Sequence, residues 1–563
     1  MKLPVKLLYP LLFVLVGVLA AFFLLRQVQK PLLGDEPRVA EAAASLLVDA
    51  RPVGHVGSHV GNLFRAPTLY PALVAAAIGP LGATPAAARL PGLLLFALTA
   101  VLLAFAARRA TGGRWGPLLA VGLYALHPLA VQSAVWVNAD AAVLPLVALL
   151  FVLGVARRDA QPGRWSWLGL GLALGVGLLV NLVTPWLLLG ALALYYAAAG
   201  RWRRLPGLAA VAVVGAAVFF ALYLIPYATL AHLKPVPPVV LAVMRVVGPG
   251  PFALVFLAGR ATRTVLWLGL PLTAAALLVL VPGVARRFRG LHPAVAYSLV
   301  AALVLTVFYV LRGAPDAAFA TDFSVVPPLL ALALAVALGP ELARESRPMV
   351  VVLAAVGFVF SFVVVRDPLY WPAVAPIATE VLLTPPTDIT KALVLTGVFV
   401  VVPVVAFAAI TRPRGWALAL VILAAAAGPA LDVWQGGADY SCRSHYGERG
   451  FNAAARLVGR AAPGKRVMVP SDLAYADGYR HPFLESDEIL VSRAKFRSLL
   501  RDDRNVVVVL RDSDYLKRRY RAALGDPLAL QYLNGYYKMQ RRGSFVVATR
   551  KAFGRLPGAP PTP

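Results

Sequence analysis

Long apolar runs separated by short basic clusters organise this chain. A helix of about twenty apolar residues crosses a bilayer core, and by that measure the sequence predicts about thirteen spans. They lie near 7–27, 88–107, 116–134, 141–156, 165–181, 184–200, 206–229, 263–283, 292–311, 323–340, 349–365, 392–411 and 415–434. Within 165–200, Asn181 and Thr184-Pro185 mark either a tight turn between two helices or a break in one. The first run follows Lys2 and Lys6, exceeds the apolar core of a signal peptide and lacks a clean small-residue cleavage site, so the expectation is an uncleaved span.

The polar positions orient these spans. Alternate connections carry Arg108, Arg109 and Arg114, then Arg157, Arg158 and Arg164, then Arg201, Arg203 and Arg204. The same parity continues at Arg286, Arg287 and Arg289, at Arg344 and Arg347, and at Arg412 and Arg414. With Lys2 and Lys6 they define one side, which the positive-inside rule makes the cytoplasm. The N-terminus is then cytoplasmic, and the long first loop, about 27–87, lies outside with everything after about Trp434. Past that point the chain changes character. Val467–Val469, Val506–Leu510 and Phe545–Ala548 read as strands, and Tyr446–Arg460 and Tyr515–Leu524 as amphipathic helices. The expected organisation is a membrane domain over 1–434, an extracytoplasmic α/β domain over 435–555 and a disordered Pro/Gly-rich tail over 556–563.

Composition narrows the class. Of 563 residues, 60% are hydrophobic and only 14% charged, and the mean hydropathy is +0.75. Soluble enzymes, disordered chains and fibrous repeats are excluded, and unbroken apolar runs argue against a barrel of alternating strands. What remains is an all-α polytopic membrane protein with a small α/β appendage. The excess of 54 Lys+Arg over 26 Asp+Glu would point to nucleic acid in a soluble protein. Here the bases cluster between spans, so the expected partner is the lipid bilayer and no nucleic acid. Cys442 is the single cysteine, which excludes an intrachain disulfide and a thiolate metal cluster. His55 and His59 have helical i, i+4 spacing, but Gly54 and Gly57 oppose a helix there, so no metal is expected and no cofactor.

Candidate chemistry gathers on the outer side. About sixty residues are spent on the first loop, where Gly34-Asp35-Glu36-Pro37-Arg38 precedes the helical run Val39–Ala44, and a second apolar segment begins at Leu69. Both read as helices lying at the membrane surface. Asp140, in Asn138-Ala139-Asp140, begins the fourth span. Acids at helix starts complement the macrodipole, which is a structural role open to Asp35, Glu36 and Asp140 alike. Three acids at one membrane-level site would instead need cations, protons or a polar substrate.

Four elements in order resemble the integral-membrane glycosyltransferases of the GT-C superfamily, in the branch of protein O-mannosyltransferases and lipid A aminoarabinose transferases. The Asp-Glu-x-Arg segment of that family is matched by Asp35-Glu36-Pro37-Arg38. Its basic-Pro-Pro-Leu-Tyr element is partly matched by Arg65-Ala66-Pro67-Thr68-Leu69-Tyr70, with the base one step further back. Ala87-Ala88-Arg89-Leu90-Pro91 matches the start of the second span, and His127-Pro128 through Asn138-Ala139-Asp140-Ala141 the fourth element. The resemblance covers about the first 160 residues, and thirteen spans with an outer C-terminal domain fit the branch. The family's Thr-Lys-Gly-Pro segment after the fifth span lacks its lysine here, at Asn181–Pro185.

The resemblance implies a GT-C fold and transfer of a sugar from a polyprenyl-phosphate donor to a hydroxyl of a glycan, lipid or protein acceptor. The reaction would invert the anomeric carbon at the outer face of a bacterial inner membrane. It implies Asp35 as general base, Glu36 and Asp140 as orienting acids, and Arg38 with Arg65 as partners of the donor phosphate. Two rivals stand beside it. A transporter or lipid flippase would carry ionisable groups inside its spans and often an internal repeat, and the sequence shows neither. A catalytically inactive scaffold could keep the fold and lose the chemistry.

Overall fold

The computed structural model describes residues 36–49, 69–113, 115–125, 127–161, 163–229, 291–311, 323–344, 450–461, 465–478, 480–486, 493–502, 504–511, 525–543 and 545–551, with positions 10, 13, 14, 16–18, 20, 21, 24, 25, 28 and 32 of the first segment. The spans expected near 263–283, 349–365, 392–411 and 415–434 and the helix over Tyr515–Leu524 lie outside the described residues. The chain forms two compact units. One holds Met1–Val28, Arg65–Tyr70 and Arg89–Tyr440; the other holds Gln29–Phe64, Pro71–Ala88 and Ser441–Pro563.

The first unit is helical, and four of its helices among the described residues are long and apolar enough to cross a membrane. They are Pro85–Thr111, Ala139–Ala160, Trp202–Leu224 and Pro293–Leu311. Shorter apolar helical stretches accompany them: Trp115–Ala125, Trp165–Leu178 of helix Arg164–Leu178, Thr184–Ala198, and Val326–Val336 of helix Val326–Arg344. The run expected as one span over 116–134 is instead two helices, Trp115–Ala125 and Pro128–Val135. Pro128 has no N–H to continue the ladder, and the His127 N–H turns back to the Tyr124 carbonyl at 3.1 Å. At 179–183 the alternative of a turn is realised: the Asn181 side-chain oxygen accepts from the Val183 and Thr184 amides at 2.8 and 3.0 Å. That side chain holds the turn just ahead of the helix opened by Thr184-Pro185, whose N-cap residue, Val183, makes no side-chain cap.

Arg164–Leu178 and Gly207–Phe219 meet through glycine. A Cβ on Gly171 would lie 2.6 Å from Val214 Cβ, one on Gly175 2.5 Å from Val218 Cβ, and one on Gly215 2.5 Å from Leu174 Cδ2. In lipid, where burial of apolar surface gives no net drive between helices, this close backbone approach supplies the van der Waals contact that holds them. Phe220–Leu224 then forms one π-helical turn before the chain continues as Ile225–Thr229.

The second unit is built on a five-stranded sheet, order β2-β1-β3-β5-β4, with β1 Arg466–Val469, β2 Phe483–Glu485, β3 Asn505–Arg511, β4 Tyr537–Arg542 and β5 Phe545–Arg550. β1 pairs in parallel with β2 and β3, while β3–β5 and β5–β4 are antiparallel. The three strands expected from the sequence are β1, β3 and β5. Both sheet faces are covered, which is why β3 reads as an unbroken apolar run rather than an alternation. Met468, Val508, Leu510 and Ala548 pack under helices Arg493–Arg501 and Pro527–Tyr536 through Phe496, Leu500, Ala529 and Leu533. On the other face Val467, Val469, Val507, Val509 and Val547 meet Phe451, Ala454 and Val458 of helix Phe451–Val458, and Leu473 and Ala474 of helix Ser471–Ala476.

A charged knot closes the end of β3. Asp502 pairs with Arg466 and takes Arg504 Nε at 3.1 Å. Partial burial pushes the Asp502 carboxyl up, but the hydrogen bonds from Arg504 and the charges of Arg466 and Arg504 outweigh it and hold it below its ordinary value. A carboxyl held low contributes stability in full above the ordinary carboxylate range and loses it as pH falls toward the depressed value. Thermal melts of Asp502→Asn should therefore show lower stability than wild type at pH 7 and a flatter decline below about pH 4. Parallel declines in the two proteins would contradict this.

Candidate functional site

In the first unit, Asn138 sits in extended backbone (φ −139°, ψ 129°) and caps helix Ala139–Ala160, its side chain accepting from the Ala141 amide at 3.0 Å. The capping duty thus falls to Asn138, while the half-buried Asp140 lies in the first turn, where a carboxylate complements the macrodipole. Ser324, at the approach to helix Val326–Arg344, donates its hydroxyl to the Asp140 backbone carbonyl at 3.4 Å. Neighbouring Phe323 meets the Tyr309 ring with centroids 5.5 Å apart, and the Tyr309 hydroxyl bonds Thr184. The polar ends of five helices are thereby chained together: Ala139–Ala160, Val326–Arg344, Pro293–Leu311, Thr184–Ala198 and, through the Asn181 turn, Arg164–Leu178.

Three of the four sequence elements also converge in this unit. A Cβ on Gly92, just past Ala87–Pro91, would lie 2.7 Å from the Ala134 carbonyl oxygen and 3.4 Å from the Tyr70 hydroxyl. Tyr70 ends the second element and Ala134 belongs to the fourth, so Gly92 is where the chain's close approach forbids a side chain. Arg89 is buried and donates from Nη1 to the Val28 carbonyl at 3.1 Å, across 61 positions of sequence. Its bond to that remote carbonyl ties the third element to the first segment, and a charge at a span start is the only sequence signal for it.

The first element belongs to the second unit. Glu36 opens helix Glu36–Asp49 and is buried, with Glu41 and Ser45 buried further along, while Arg38 is exposed. The face of this helix lined by Ala40, Ala42 and Ala43 is buried, and the helix packs against Ser471–Ala476. Tyr475 of that helix reaches the loop's other end, donating its hydroxyl to the Thr84 carbonyl at 2.8 Å. Helix Glu36–Asp49, the 71–88 stretch and the C-terminal sheet therefore belong to one compact unit. Both loop helices expected from the sequence are present, as Glu36–Asp49 and Leu69–Leu81. Asp35, one residue before the first of them, and Arg65 lie outside the described residues, as do His55 and His59. Among the described residues no group of three or more His, Cys, Asp or Glu is placed to hold a metal ion.

Residues 66–226 match the family model of dolichyl-phosphate-mannose-protein mannosyltransferase. The matched stretch contains Arg89 and Asp140 and begins after Asp35–Arg38. No curated protein sequence matches the chain. Among solved structures, ArnT from Cupriavidus metallidurans bound to undecaprenyl phosphate is similar, with 18% identity and a TM-score of 0.63, over 98% of this chain and 99% of that one. The same protein in its apo state gives 17% identity and a TM-score of 0.62, over 98% and 99%. This is the GT-C fold. The resemblance in four short elements is borne out at the level of the fold, and the likeness covers nearly the whole chain rather than the first 160 residues alone. The GT-C architecture also fits the multi-pass reading of the apolar spans.

Proposed function

We propose that this GT-C protein transfers a sugar from a polyprenyl-phosphate donor to an acceptor hydroxyl, at the outer face of a bacterial inner membrane and with inversion at the anomeric carbon. The observation that carries the reading is a GT-C fold shared over nearly the whole chain with a protein whose structure holds undecaprenyl phosphate. Its sequence counterpart is the ordered series from Asp35 to Asp140.

In this reading Asp35 takes the proton from the acceptor O–H as its oxygen bonds to the anomeric carbon. The bond from that carbon to the phosphate oxygen breaks, and polyprenyl phosphate leaves with the electron pair. General-base help of this kind contributes about 10²–10⁴-fold. Arg38 and Arg65 answer the charge that grows on the phosphate, for which planar guanidinium donors suit two oxygens at once. Glu36 and Asp140 orient the base, the sugar or the acceptor. Apolar spans supply the groove for the isoprenoid chain.

Mass spectrometry of lipid-linked sugars and cell-surface glycans, from cells with and without the protein, tests this directly. Loss of one surface sugar with build-up of its lipid-linked donor is expected. Unchanged profiles of both pools would overturn the assignment.

A further inference from the structure

At the far end of helix Ala139–Ala160, about 30 Å along its axis from Asp140, lies a second polar cluster that the transfer chemistry does not use. Asp159, with 4% of its side chain exposed, pairs with both Arg201 and Arg204. The Tyr195 hydroxyl donates to the same carboxylate at 2.8 Å. Arg158 reaches the Gly163 carbonyl at 3.0 Å and lies over the Trp167 ring at 4.7 Å. Arg201 and Arg204 lie over Tyr195 and Tyr196, each 5.7 Å from the ring centroid.

The accounting is unbalanced in favour of donors. Among the described residues, three guanidiniums share this cluster with one carboxylate, so their charge exceeds its own by two. Each guanidinium carries five N–H donors, far more than two carboxylate oxygens, a carbonyl and a phenol can accept. Arg158 Nε and the Tyr196 hydroxyl are buried without a hydrogen-bond partner among the described residues. Yet the side chains of Arg201 and Arg204 remain 34% and 26% exposed, so an outside anion can reach the edge of the cluster, although Arg204 Nη1 itself is buried. Aromatic stacking has already fixed these side chains, lowering the entropy still to be lost on binding. Trp165 and Trp202 flank the cluster, 78% and 63% exposed, which are the amphipathic rings that sit at headgroup level. Exposed Arg157 and Arg203 add to the field.

We propose that Arg158, Arg201 and Arg204 form a binding site for the phosphodiester of an anionic membrane phospholipid, which completes the donor set and clamps helices Ala139–Ala160, Thr184–Ala198 and Trp202–Leu224 together. The site does not depend on the sugar-transfer reading. Both rims of a membrane protein meet headgroups, so it does not depend on the orientation of the spans either.

Purified full-length protein in a neutral detergent is titrated with dioctanoyl phosphatidylglycerol, dioctanoyl phosphatidylcholine and inorganic phosphate, with bound lipid counted by native mass spectrometry and melting temperature read in parallel. Phosphatidylglycerol should bind at least about 10-fold more tightly than phosphatidylcholine and raise the melting temperature, because two or more bases each add about five-fold near an anionic surface. Arg204→Gln and Arg158→Gln should each weaken phosphatidylglycerol about five-fold without moving phosphatidylcholine. Should either variant fail to fold, the wild-type lipid preference and its weakening between 0.05 and about 0.5 M salt still decide. Equal binding of the two lipids, unchanged affinity in both variants, or equal stabilisation by inorganic phosphate would overturn the proposal.

Discussion

Asp35→Asn is expected to cut sugar transfer about 100-fold or more while leaving expression and membrane insertion unchanged. Asparagine keeps the shape and hydrogen-bonding reach of the side chain but cannot take the acceptor's proton, so the change isolates basicity from structure. Asp35 stands immediately before helix Glu36–Asp49 in the sequence. Initial rates at saturating donor, set beside the melting temperature, make the comparison. A near-wild-type rate would remove Asp35 from the role of base.

Among the described glycines, Gly450→Ala should have the largest structural effect. Gly450 caps helix Phe451–Val458 at φ +86°, a left-handed conformation that costs a residue with a Cβ roughly 1–2 kcal/mol. The added Cβ would also lie 2.0 Å from the Arg542 carbonyl oxygen and 2.4 Å from its carbon, both backbone atoms at the β4–β5 turn. A backbone contact that short is relieved only by moving the hairpin, whose β5 carries Phe545 and Val547 into the core beneath the same helix. The combined loss should exceed about 3 kcal/mol. Because helix Glu36–Asp49 belongs to the same unit as the sheet, the damage should reach transfer as well as stability. Limited proteolysis should cleave the 450–551 region early while the helices of the first unit stay protected. A wild-type digestion pattern together with wild-type transfer would contradict this.

Helices were the most legible part of the sequence, because lipid demands unbroken apolar length and the chain supplies it at Pro85–Thr111, Ala139–Ala160 and Pro293–Leu311. The break at His127-Pro128 was not read, since hydropathy stays high across it and only the missing proline N–H interrupts the helix. In the sheet, the doubly buried β1, β3 and β5 were visible as apolar runs. β4 was not: at the sheet edge, Tyr537 is buried while Lys538 and Met539 face out, so the strand looks polar. Helix Arg493–Arg501 hid for a similar reason, burying only Phe496 and Leu500 among charges.

Acids of the candidate site stood out because only 26 Asp and Glu occur in 563 residues. Long-range pairings had no comparable signal. Arg158, Arg201 and Arg204 read as ordinary cytoplasmic-side bases, and nothing local ties Asp159 to an arginine 42 positions away. That the 71–88 stretch shares a compact unit with the C-terminal sheet rests on contacts such as Tyr475 to Thr84, 391 positions apart, which no periodicity could reveal.

The central claim is that this GT-C chain consumes a polyprenyl-phosphate sugar. The most direct measurement incubates the purified protein with lipid-linked sugars extracted from cells lacking it, and follows free polyprenyl phosphate by mass spectrometry. Wild-type protein with a glycan-bearing membrane extract as acceptor should release polyprenyl phosphate in step with a new glycosidic product, and Asp35→Asn should release about 100-fold less. An intact donor pool after incubation with the wild-type protein, or equal release by the variant, would contradict the account.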